Sequence, residues 1–164
     1  MEETQTLGSP KSPETTKLSK AIKVANELVA QSILPENSCY AMDPLLRTRL
    51  KEYILEPDEE LLFLTKQSKL SNPIPALFVF TNKKIVIGRP SILHFLGVKS
   101  LAFTGADLIK YTEIRDLSIK RGAYLRSVYI KIPGAQPIEI NGMKSADADL
   151  MLKFVMKIVE YLEA

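Results

Sequence analysis

The sequence predicts an α+β protein: two amphipathic helices, then roughly six or seven antiparallel strands, then one long closing helix. Two observations carry that reading. Apolar residues recur at helical spacing before residue 55 and after residue 145, and at strand spacing between them. The strand-like runs are joined by short Gly, Pro, Asn and Lys connections, and no period of 20 to 50 residues repeats, which excludes solenoids and propellers.

Residues 1–15 hold Gly8, Pro10 and Pro13 among Ser, Thr, Lys and Glu, with almost nothing to bury, and are expected to be a disordered tail. From Thr16 the residues Leu18, Ile22, Ala25 and Val29, with Ala21 and Leu28 beside them, mark one face of a helix that ends near Leu34 and Pro35. Residues 16–42 are therefore a helix and linker, and residues 43–164 the domain proper. A second helix starts with Asp43 as cap and Pro44 in the first turn, where its missing N–H costs nothing. Leu46, Leu50, Tyr53 and Ile54 mark its buried side, and Pro57 ends it.

Strands follow at residues 61–65, 76–80, 85–87, 114–121, 124–132 and 137–141, each rich in β-branched or aromatic residues. Thr81-Asn82-Lys83-Lys84 is a hairpin connection, and Val128, Ile130 and Ile132 alternate with Tyr129 and Lys131, the mark of a sheet with one wet face. The last helix opens on Ser145, Asp147 and Asp149, which suit a positive helix terminus. Its apolar face, centred on Leu152, Val155, Val159 and Leu162, is broad enough to cover a sheet or the mouth of a curled one.

Residues 56–63 (EPDEELLF) and 78–87 (FVFTNKKIVI) resemble the opening of bacterial pleckstrin-homology-like (PH-like) domains, where an acidic turn precedes the first strand and a "TNKR" turn joins the next hairpin. Residues 109–122 (IKYTEIRDLSIKRG) are similar to the family's "IPYEEI…VEIKKG" segment, and residues 137–140 leading into 144–148 to its last strand and helix entry. The resemblance spans about residues 45–163, with Lys84 where arginine is usual and residues 1–42 added. It implies a strongly bent antiparallel sheet or partly open barrel capped by the C-terminal helix, a scaffold whose relatives bind phospholipids, peptides or proteins. A shared fold leaves the ligand open.

Chemistry narrows the function class. A chain of 164 residues with 46% hydrophobic residues can bury roughly 70% of its unfolded surface, enough for one real core. No apolar run approaches the ~20 residues of a membrane span, and the polar start is not that of a secretory signal. The single cysteine, Cys39, forms no internal disulfide, and with one histidine, His94, it builds no Cys/His zinc site. A cytoplasmic location is expected. Cys39 lacks positive charge in its local sequence and reads as a small apolar residue. His94 lies in the apolar run 92–96 with no nucleophile signature, and Gly88, Gly97, Gly105 and Gly122 stand alone at bends without a phosphate-binding pattern. The acidic run 58–60 reads as a solvated turn. No catalytic constellation, metal site or cofactor motif is present, so a binding module is expected rather than an enzyme.

Charge is the informative signal. Residues 66–142 contain twelve Lys or Arg against four Asp or Glu, whereas residues 1–65 carry a net −4. That asymmetry points to an acidic partner, either anionic lipid headgroups at a membrane surface or an acidic protein. The competing reading is that strand lysines solvate exposed faces and discourage edge pairing. The candidate contacts are Lys83, Lys84, Arg89, Lys99, Lys120, Arg121 and Arg126. Residues 91–103, with Phe95, Leu96, Leu101 and Phe103, form a second candidate as an exposed apolar loop or a core strand pair. Single-stranded nucleic-acid binding through Tyr124 and Tyr129 is the runner-up, opposed by their opposite parity on one strand. A purely structural oligomerisation role, with helix 16–34 pairing with itself or another subunit, is the third reading.

Overall fold

The computed structural model describes residues 13–42, 44–68, 70, 75–90 and 103–164. Helix α1 (Pro13–Val29) and three single turns lead into α2 (Pro44–Tyr53). Strands β1 (Leu61–Lys66), β2 (Leu77–Thr81), β3 (Lys84–Pro90) and β4 (Phe103–Lys110) form one antiparallel sheet in that order. Strands β5 (Asp116–Arg121), β6 (Arg126–Lys131) and β7 (Ile138–Met143) form a second, and α3 (Ser145–Glu163) ends the chain. The α+β order read from the sequence is the order observed. The predicted apolar segment 91–103 lies outside the described residues, apart from Phe103 at the start of β4.

The two sheets meet at one corner. Val128 pairs with Ile140 but Arg126 pairs with Met143, so β7 carries one extra residue there. Gly142 sits in that bulge at φ 76°, a conformation open to glycine because it has no Cβ. The bulge turns the end of β7 toward the first sheet, where Met143 bridges Gln67 and the Ser68 amide donates to the Gly142 carbonyl at 2.8 Å. Two sheets joined at one corner make a bent, partly open structure rather than a closed barrel.

The gap between the sheets is filled from α3. Phe154 stands edge-on to Phe63, Phe80 and Tyr111, with centroids 4.9, 5.7 and 5.8 Å away, while Phe63 and Phe80 stack at 4.5 Å. Each such pair is worth about 0.5–1.5 kcal/mol beyond its buried area. Ile85, Ile87, Ile109, Leu117, Val128, Ile130 and Ile140 complete the inner faces. Tyr111, fully buried, donates its hydroxyl to the Thr81 carbonyl at 2.7 Å, which satisfies the one polar atom it brings into the core.

Helix α1 packs against α3, and its buried residues Ala21, Ile22, Ala25 and Val29 belong to the same core. The helices run antiparallel: the Lys17 ammonium donates to the Leu162 and Ala164 carbonyls at 3.0 and 2.9 Å, closing the negative end of α3. At the other end Asn37, buried in a turn after α1, donates to the Leu64 carbonyl and to the Asp147 carboxylate. Asp147 also accepts from the Lys66 amide at 3.2 Å. The sequence assigns Asp147 to the helix dipole; the fold uses it to tie the N-terminal extension, β1 and α3 together.

Helix α2 covers the outer face of the first sheet. Leu46, Leu50, Met42 and Leu55 pack on Leu64, Leu77, Val79 and Val86, so β2 is buried on both faces. The wet face read from the Val128–Ile132 alternation belongs to the second sheet, where Val128 and Ile130 are buried and Lys131 is exposed; on the first sheet α2 occupies the outer face. Leu46 and Leu50 point inward as expected, but Tyr53 faces solvent. Helix α3 starts without a side-chain cap, although Ser145 is its first residue.

Among the described residues, Thr65 Oγ1 is the one buried side-chain polar atom without a hydrogen-bond partner. Replacing Thr65→Val removes that hydroxyl at nearly constant shape and is expected to raise unfolding free energy by about 1–2 kcal/mol in urea titration. Phe154→Ala, which empties the centre of the aromatic cluster, is expected to lower it by about 3–5 kcal/mol.

Candidate functional site

The described basic residues among those singled out in the sequence fall at two opposite ends of the sheets. Register fixes the separation: Leu61 pairs with Thr81 at the Lys83–Lys84 end of β1, while Gln67, just past the other end, bridges Met143, whose partner is Arg126.

At the first end both lysines are already paired. The acidic turn before β1 folds onto the β2–β3 turn through Asn82, whose amide donates to the Glu60 carbonyl and whose side chain accepts from the Glu60 amide. Lys83 ion-pairs with Glu56 and, at 2.9 Å, with Asp58, and these hydrogen bonds hold its ammonium above its ordinary pKa. Lys84 pairs at 2.8 Å with Glu59, a carboxylate whose side chain is 0% exposed, while that of Lys84 is 11% exposed. Glu59 also accepts from the Thr81 hydroxyl at 2.6 Å and from the Glu56 amide at 3.0 Å. Thr81 Oγ1 in turn accepts from the Lys83 and Lys84 amides. In the acidic run that reads as a solvated turn, Asp58 and Glu60 are exposed as expected, whereas Glu59 is a buried anchor. The cleft beside it, about 550 Å³, is lined by Lys83, Lys84 and Lys110 against Glu56, Asp58 and Glu113, a charge balance that gives an anion no net attraction.

The second end is different. Leu117 pairs with Ile130, Ile119 with Val128 and Arg121 with Arg126, so the two arginines continue the inner-face series beyond the core. Directly opposed residues place their Cβ atoms about 4.5–5.5 Å apart, and like charges there repel. Among the described residues no carboxylate ion-pairs with either arginine. Lys120, opposite Ser127, lies on the other face of the same hairpin. The tip closes with the Gly122 amide donating to the Leu125 carbonyl at 2.9 Å. A Cβ on Gly122 would come within 2.7 Å of that carbonyl, so only glycine fits without a shift. Tyr124 projects from the tip, 91% exposed.

The corner bridge adds two exposed cations that the linear sequence does not associate with the hairpin: Lys66 beside Gln67, and Lys144 next to Met143. Arg89 lies near the end of β3, and Lys99 and His94 lie outside the described residues. Cys39 has Arg47 and Lys51 within electrostatic reach, contrary to its local sequence, but burial outweighs them and raises the thiol pKa. Among the described residues no group of three or more His, Cys, Asp or Glu side chains could hold a metal ion, and no helix is long and apolar enough to cross a membrane.

Burial alone would raise the Glu59 pKa, but the hydrogen bonds from Lys84, Thr81 and the Glu56 amide, with the Lys84 charge, hold it below the usual carboxylate value. A depressed folded pKa means that its stabilisation is complete above the unfolded value of about 4.3 and is lost as pH falls through the folded one. Glu59→Gln leaves the Lys84 ammonium buried without its counter-charge, and is expected to cost about 3–5 kcal/mol at neutral pH. Urea titrations from neutral pH down to about pH 3 should show less acid-induced loss in this variant than in the natural chain.

Comparison with known proteins bears on this geometry. The family model described as bacterial PH domain matches residues 55–157, more than half of the chain, from the acidic turn through both sheets and most of α3. No curated protein matches the sequence. With its two antiparallel sheets bent at one corner and capped by a C-terminal helix, the chain belongs to the bacterial pleckstrin-homology (PH) domain family.

Proposed function

We propose that this protein is a non-enzymatic, cytoplasmic docking module that holds an anionic partner at the β5–β6 end of its sheets. One observation carries the reading: Arg121 and Arg126 face each other across adjacent strands, past the core, with no described carboxylate in ion-pair contact. Such an arrangement is unfavourable until an anion lies between or over the two guanidiniums, each of which offers a planar fork of donors. Lys120 on the other face, Lys66 and Lys144 at the corner add to the local potential. Residues 43–164 form the binding domain, and the helix before them braces it.

Lys83 and Lys84 hold the acidic turn in place and contribute little to this surface, because their charge is compensated locally. The partner is an anionic lipid headgroup layer or an acidic protein segment. Single-stranded nucleic acid is disfavoured by the Tyr129 hydroxyl, which donates to Glu139 at 3.1 Å and so holds a negative charge beside the ring a base would stack on. Self-pairing of α1 is disfavoured because Ala21, Ile22, Ala25 and Val29 are already buried in the core beside α3, which leaves Leu28 as the exposed member of its apolar face.

The test is an NMR titration of the labelled protein with phosphatidylserine-containing vesicles and, separately, with polyglutamate, at low and high salt. Signals of Lys120, Arg121 and Arg126 are expected to move and to recover with salt. Arg121→Gln combined with Arg126→Gln is expected to weaken binding roughly 30-fold, at about 1 kcal/mol per cation, while Lys83→Gln leaves it unchanged. Equal losses from both ends, or no movement with either probe, would remove the reading.

A further inference from the structure

Helix α2 carries a second basic surface that the charge tally conceals. Residues 1–65 are net acidic, yet α2 alone displays Arg47, Arg49 and Lys51 against Glu52. Leu46 and Leu50 anchor the helix inward, which sends Arg47 and Lys51, one turn apart, to one flank and Arg49 and Tyr53, one turn apart, to the other. None of the three cations ion-pairs with a carboxylate among the described residues.

Each arginine instead lies over a tyrosine ring: the Arg47 guanidinium carbon is 5.4 Å from the Tyr40 centroid, and that of Arg49 is 5.9 Å from the Tyr53 centroid. Arg47 is held further by its donation to the Cys39 carbonyl at 3.5 Å. The rings are not burying themselves in the process, since Tyr40 is 88% and Tyr53 74% exposed, and Leu45 in the first turn of α2 is 37% exposed. Two amphipathic aromatics, each with a cation stacked on it, thus stand on both sides of a short exposed ridge.

We propose that this face of α2, with Tyr40, docks on an anionic phospholipid surface. The spread of the cations decides for a membrane over a discrete acidic group. Arg47 and Lys51 stand on the opposite flank from Arg49, so the three do not converge on one point, whereas a headgroup layer presents charge over the whole footprint. Tyrosine suits the same boundary, having an apolar ring and a hydroxyl that stays hydrated at headgroup level. The inference does not rest on the β5–β6 reading, which concerns other residues on another element.

The test uses the full-length chain and phosphatidylcholine vesicles with and without phosphatidylserine. Arg47→Gln, Arg49→Gln and Lys51→Gln together are expected to weaken co-sedimentation with the serine-containing vesicles roughly 100-fold. Lys51 is exposed while Arg47 and Arg49 are half-buried, so an unchanged melting temperature is required of the triple variant to show that the fold is intact. As a second readout, Tyr53→Trp supplies the only tryptophan, whose emission is expected to shift to shorter wavelength on vesicle addition and to return with salt. Unchanged binding in the triple variant, no vesicle binding by the natural chain, or binding without an emission shift would overturn the proposal. Polyglutamate binding that depends on the three cations, in the absence of vesicle binding, would overturn it in favour of an acidic protein partner.

Discussion

Two sheets that, among the described residues, pair at one corner cannot hold their inner faces together by strand pairing alone, so the fold depends on what α3 inserts between them. Phe154 sits at the centre of that insertion, edge-on to two phenylalanines of the first sheet and to Tyr111 in the turn before the second. Because packing of this kind is sensitive to volume at the level of single methylenes, the position of α3 fixes the angle between the sheets. The positions of both strand-end surfaces follow from it.

The segments before β1 are part of the same solution. Helix α1 lies along α3, Asn37 links the turn after it to β1 and to Asp147, and α2 closes the outer face of the first sheet. A sheet with both faces covered has no solvent-exposed side over β2, which leaves charge to collect on the covering helix, at the turns and at the strand ends. Thr65 Oγ1 apart, the polar groups that enter the interior are matched in turn: Glu59 with Lys84 and Thr81, Asp147 with Asn37 and the Lys66 amide, Tyr111 with the Thr81 carbonyl. A buried ion pair of this sort contributes little net stability compared with an apolar pair but penalises other arrangements. Here it fixes the acidic turn on the β2–β3 hairpin.

The two ends of the molecule thereby acquire different electrostatic characters from similar residues. At the β2–β3 end lysine meets carboxylate and the charge is compensated. At the β5–β6 end arginine is opposed to arginine, and among the described residues no carboxylate ion-pairs with either. The pleckstrin-homology scaffold supplies the strand ends; the local partners decide which of them is available.

Much of this was written in the linear sequence. The change of apolar period at residues 55 and 145, the turn at residues 81–84, and the apolar stripes of α1 and α3 are local properties, set by side-chain spacing against the fixed geometry of helix and strand. Even the arginine pair was visible as two members of a longer list. What the sequence could not supply was proximity. Glu59 and Lys84 are 25 positions apart, Asn37 and Asp147 are 110 apart, and whether a charge is solvated, compensated or left open depends on neighbours that only folding brings close. Charge counted over 65 residues averaged away the cations of α2, and a tyrosine at helical spacing looked buried until the helix was rolled onto its sheet. Periodicity is local and survives in sequence, whereas electrostatic partnership decays over a few ångströms in space and has no counterpart along the chain; tertiary structure alone therefore decided which basic residues meet a carboxylate.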